Sequence, residues 1–143
     1  MRATFWTVPA GLLALSIFFA GGAVVAATTC IALLMPGGVL EPIWRLNPPA
    51  HSAFLELGPW AIVLMAMVAL MCGGAACGLW IRARWGHRLA LSLLLVNLLG
   101  DVVNAVVRGD PRTLIGVPIA GLLILYLLSP GVRSGYRGTP LGG

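Results

Sequence analysis

Long apolar stretches alternate with short polar breaks along this chain. Apolar residues run from about Thr7 to Met35, Pro59 to Ile81, His87 to Val107 and Pro111 to Ser129. Each run is close to or beyond the roughly 20 residues that an α-helix needs to cross the hydrocarbon of a bilayer. The pattern predicts an all-α, polytopic membrane protein with four transmembrane helices, at about 7–35, 59–81, 87–107 and 111–129, and a long first extramembrane loop. Residues 1–136 are expected to form a single domain, followed by a flexible glycine-rich tail over 137–143.

The first run is longer than a perpendicular span requires, which predicts tilting, protrusion or a break at Gly21 and Gly22. Arg2 and the small residues around Ala27 imitate a secretion signal, but the apolar core exceeds the 7–15 residues of such signals. Thr28 and Thr29 before Cys30 make a poor lipoprotein cleavage box, so an uncleaved anchor is expected.

The stretch from Pro36 to Pro59 has a different character, with Pro36, Pro42, Pro48 and Pro49 in its first half and the acidic residues Glu41 and Glu56. Asn47 followed by Pro48 is a helix-start signal for a short surface helix through Phe54 and Leu57. Trp44 beside Arg45 reads as an interfacial anchor, and His51 as a solvated loop residue. Further on, Asp110 before Pro111 predicts the cap and first position of the fourth helix.

Composition strengthens the membrane reading. Apolar residues make up 59% of the chain and charged residues 9%, against about a quarter charged in soluble domains. The net charge of +5 would suggest nucleic acid in a soluble protein, but these basic residues sit singly at the edges of apolar runs. They read as orientation signals and contacts to anionic lipid, and no nucleic-acid partner is expected. The turn containing Arg82, Arg84 and Arg88 is the strongest such signal. Placing it inside also puts Arg2, Arg133 and Arg137 inside and Arg45, Arg108 and Arg112 outside, with both termini in the cytoplasm. Arginine without lysine, amid abundant Ala, Gly and Leu, suggests a GC-rich bacterial genome and hence the inner (plasma) membrane.

Small residues mark where helices should cross. Gly73, Gly74 and Gly78 form a dense patch in the second span, while Gly116 and Ala120 stand four apart in the fourth, with Pro118 between them. Small side chains let backbones approach, the main source of packing energy where lipid is as apolar as the helix. Pro118 is expected to kink its helix and free the carbonyl of Leu114. Cys30, Cys72 and Cys77 form no metal-binding or redox motif, and Met65, Met67 and Met71 spread around their helix as packing residues. No catalytic, metal or cofactor signature is present, so no enzyme activity, cofactor or metal is expected. The Arg108-Gly109-Asp110 string falls in an interhelical turn, and Tyr126 fits an aromatic belt.

One polar stripe interrupts the third span. Asn97, Asp101, Asn104 and Arg108 follow at spacings of 4, 3 and 4. At about 100° per residue they lie within roughly 60° of one another. An ionisable group within a span is costly and is a candidate functional site by default. The structural alternative is interhelical glue, with Asn104 or a protonated Asp101 meeting the carbonyl freed by Pro118.

The segment from Trp85 to Tyr136 joins a basic turn, an N-xxx-D-xx-N helix, a short polar turn and a closing Y-L-L-x-P-x-V-R stretch. In these motifs it resembles small uncharacterised bacterial four-helix membrane proteins, a resemblance that implies a fold and no activity. The expected role is a non-enzymatic packing or accessory subunit, embedded in lipid and held to a second copy or a membrane-complex partner through small-residue faces. The alternative is a small proton-linked transporter or channel using the Asn97, Asp101 and Asn104 seam.

Overall fold

The computed structural model describes residues 10–109 and 115–137, and all regular structure among them is helical. We number the helices α1 (Ala10–Leu34), α2 (Pro48–Leu57), α3 (Pro59–Trp80), α4 (Arg84–Arg108), α5 (Gly116–Leu128) and α6 (Pro130–Arg137). A 3₁₀ turn over Glu41–Leu46 precedes α2. Three of these helices, α1, α3 and α4 up to Val107, are long and apolar enough to cross a membrane. The fourth apolar helix, α5, has 13 residues, or about 20 Å of rise, against about 30 Å of hydrocarbon. The expected cap at Asp110 and the expected first position at Pro111 lie outside the described residues.

The helix α1 runs unbroken through Gly21 and Gly22, so of the three ways to accommodate its length the break is not the one used. Its two threonines are satisfied locally: Thr28 Oγ1 donates to the carbonyl of Val24 at 2.8 Å and Thr29 Oγ1 to that of Val25 at 2.9 Å. This back-bonding lets hydroxyls sit on a lipid-facing helix without another partner. Around α1, α3, α4 and α5 large apolar side chains stand exposed, among them Val25, Leu70, Val106 and Leu125. Apolar surface this extensive suits lipid rather than water.

The first loop folds on itself. Asn47 caps α2, its Oδ1 accepting from the amide of Ala50 at 3.3 Å, as the Asn-Pro signal predicts. Trp44 is buried rather than projecting as an anchor. His51 stacks on it at 4.5 Å between ring centroids, and Phe54 meets it edge-on at 5.9 Å. The loop thus makes a small cluster of three rings that none of these residues alone reveals.

Successive long helices pack antiparallel. α1 lies along α3, with Gly22 near Cys72 and Cys30 near the carbonyl of Ile62. α3 crosses α4 at Gly78 and Gly86, where the backbones touch: a Cβ on Gly86 would stand 2.8 Å from the Gly78 carbonyl oxygen. α4 pairs with α5 from His87 near Leu127 to Asp101 near Gly116. The core gathers where these helices meet at one end. It consists of Leu12, Leu15 and Phe19 of α1, Ala75, Ala76 and Leu79 of α3, Ala90 and Leu94 of α4, Ile124 and Leu127 of α5, and Val132 of α6. This end carries Arg82, Arg84, Arg88 and Arg133; Arg45 and Arg108 belong to the other.

The turn from α3 to α4 is set by a C-terminal motif usually completed by glycine. The amide of Arg82 donates to the carbonyl of Leu79 at 3.2 Å and that of Ala83 to the carbonyl of Gly78 at 2.8 Å, with Arg82 at φ 56°. A left-handed conformation costs a side-chain-bearing residue roughly 1–2 kcal/mol. Arg82→Gly is therefore expected to leave the unfolding temperature in detergent unchanged or to raise it, by up to about 1 kcal/mol of stability. A loss of that size would show that contacts of the Arg82 side chain outweigh the strain.

Candidate functional site

Beyond the core the molecule opens. The α4–α5 hairpin and the α1–α3 pair border a cleft of about 460 Å³. Phe18, Phe19, Gly22, Val68 and Cys72 line one side; Leu93, Leu94, Val96, Asn97, Gly116, Ile119, Ala120 and Leu123 line the other. Asn97 supplies the one amide side chain of this lining, fourteen residues into a helix of 25.

The polar seam is only partly assembled. Asn97, which is exposed, donates from Nδ2 to Asp101 Oδ2 at 3.3 Å, and Asp101 is half-buried. That carboxylate lies against the first turn of α5, where a Cβ on Gly116 would stand 2.5 Å from Oδ2 and 3.4 Å from Cγ. Asn104 is half-buried on the same side of α4 but does not join the Asn97–Asp101 pair. The expected link from Arg108 to Asp101 through Asn104 depends on the Arg108 side chain, which lies outside the described residues.

Of the small residues picked out for packing, Gly73 meets Ala23 of α1, while Gly74 meets Leu89 of α4 at 3.4 Å and Trp85 at 3.9 Å. Gly78 makes the backbone crossing with Gly86, Gly116 faces Asp101, and Ala120 is buried. These faces are therefore occupied within the chain. Pro118 is exposed and stands three residues into the described part of α5, while Leu114, whose carbonyl it was expected to free, lies outside the described residues.

Two residues at the closed end matter more than their sequence context indicates. Gly86 reads as part of a basic turn but lies inside α4, against α3. His87 Nε2 lies 2.9 Å from the Leu127 carbonyl in the last turn of α5, joining the two ends of the hairpin. Tyr126 reaches α1, its ring occupying the space beside Gly11. Among the described residues no group of three or more His, Cys, Asp or Glu could hold a metal ion.

No family model, curated protein or solved structure matches this chain. Its function is therefore argued from the cleft and the seam.

Proposed function

We propose that this chain is a multi-pass protein of a bacterial inner membrane that serves as a non-enzymatic packing subunit of a membrane assembly. In this reading four helices cross the bilayer and both termini lie in the cytoplasm. The grouping of Arg82, Arg84, Arg88 and Arg133 at one end supports that orientation. The pairing of α5 with α4 from Leu127 to Gly116 supports a fourth crossing beside the third.

The observation that carries the role is the exposed Asn97 amide, midway along an apolar span at the mouth of the cleft. An amide has two donors and two acceptor sites, and lipid tails satisfy none of them. Its one hydrogen bond among the described residues, to Asp101, leaves most of that capacity for a partner helix presenting a polar side chain. Because the small-residue faces of α3 and α5 are used within the chain, the docking face is the Asn97 side of α4.

A second reading, a proton-linked transporter or channel, draws on the same pair, since Asn97 lines the cleft and holds Asp101. It requires water in the cleft. Flux measurements in liposomes separate the two. The packing role predicts no proton or cation flux above that of empty vesicles, in the natural protein or in Asp101→Asn. Flux that disappears with Asp101→Asn while helix content is retained would establish the transporter and overturn the packing role.

A further inference from the structure

A second, shallower groove lies at the closed end, along the outside of the α1–α3 contact. It measures about 320 Å³, within the range of small-molecule clefts, and is lined by Ser16, Ile17 and Ala20 of α1, by Ala76, Cys77 and Trp80 of α3, and by Ile81, which follows α3. The chain passes directly from this lining into Arg82, with Arg84 and Arg88 following in the first turns of α4.

We propose that this groove and turn bind one anionic phospholipid, with an acyl chain along the groove and the headgroup phosphate beside Arg82. Charge selects the headgroup. Arg82, Arg84, Arg88 and Arg133 share this end, whereas Glu41 and Glu56 lie in the loop at the other end and Asp101 lies in the far half of α4. The first turn of α4 contains no acidic residue and no side-chain cap, so the positive end of its dipole adds to the arginines. Exposed Trp80 and Trp85 flank the turn, and indoles favour the headgroup level of the bilayer.

Arg82 occupies a left-handed position that two backbone hydrogen bonds of the turn impose. The Gly78–Gly86 contact fixes the turn, so the arginine backbone is placed before lipid arrives. The inference depends on membrane embedding and not on the packing role proposed above.

Native mass spectrometry of the full chain in mild detergent tests it, with phosphatidylglycerol and phosphatidylcholine of identical acyl chains titrated separately. One phosphatidylglycerol is expected to be retained in preference to phosphatidylcholine. Arg82→Gln should weaken that retention about fivefold, the worth of one basic residue near an anionic surface, while Arg82→Lys keeps most of it. Cys77 is exposed, so Cys77→Trp should fill the groove without entering the core and displace the lipid. Arg45→Gln, at the opposite end, should change nothing. Equal retention of the two lipids, no effect of Cys77→Trp, or equal weakening by Arg45→Gln and Arg82→Gln would each overturn the proposal.

Discussion

Alanine at Gly78 or Gly86 is expected to destabilise the protein by about 3 kcal/mol, the upper range for overpacking, and to split the α3–α4 hairpin. The obstruction is backbone rather than a side chain able to turn aside. A Cβ on Gly86 meets the Cα, carbonyl carbon and carbonyl oxygen of Gly78, and one on Gly78 meets the Cα of Gly86. Relief requires the helices to separate, which would remove Gly74 from Leu89 and Trp85 and loosen the core around Leu79 and Ala90. Gly100 and Gly121 are the controls, since nothing lies within 4 Å of a Cβ at either. Alanine there should be neutral or stabilising by up to about 1 kcal/mol through helix propensity. Thermal unfolding in detergent, followed by circular dichroism, reads both sets. Similar midpoints for Gly78→Ala and Gly100→Ala would mean that the close crossing is not a feature of the folded protein.

The second large effect is expected at the open end. Gly116→Ala should force the Asp101 carboxylate from its place against α5 and disturb its hydrogen bond from Asn97, at a cost of about 1–2 kcal/mol. Because the obstruction is one short side chain, its removal should restore the fit. Once Asp101→Ala is present, Gly116→Ala should cost little, giving a coupling energy of about 1 kcal/mol or more in a double-mutant cycle. Additive effects would show that Asp101 and Gly116 do not meet in the membrane.

The long apolar runs were legible in the sequence because hydrophobic length alone marks them, and Pro59, Trp80 and the Asn47–Pro48 start fall where composition changes. The crossing at Gly78 was legible for a related reason: a cluster of small residues has little other use within a span. Its partner Gly86 was not, because one glycine amid arginines looks like a turn residue and only the third dimension sets it against another backbone. The seam was legible as a stripe by helical period, but period cannot say which members bond. Asn97 and Asp101 pair while Asn104 stays outside the pair. The Trp44–His51 stack and the His87–Leu127 link are likewise contacts between residues whose local patterns predict nothing about each other.

The most direct test of the proposed role is the mass of the particle extracted from native membranes in mild detergent, for the natural chain and for Asn97→Leu. The packing role predicts a particle clearly heavier than one 14.9 kDa chain, falling to a monomer with Asn97→Leu and staying intact with Leu99→Ala, an exposed position on the same helix. A natural chain that is already monomeric, or a heavier particle unaffected by Asn97→Leu, would contradict it.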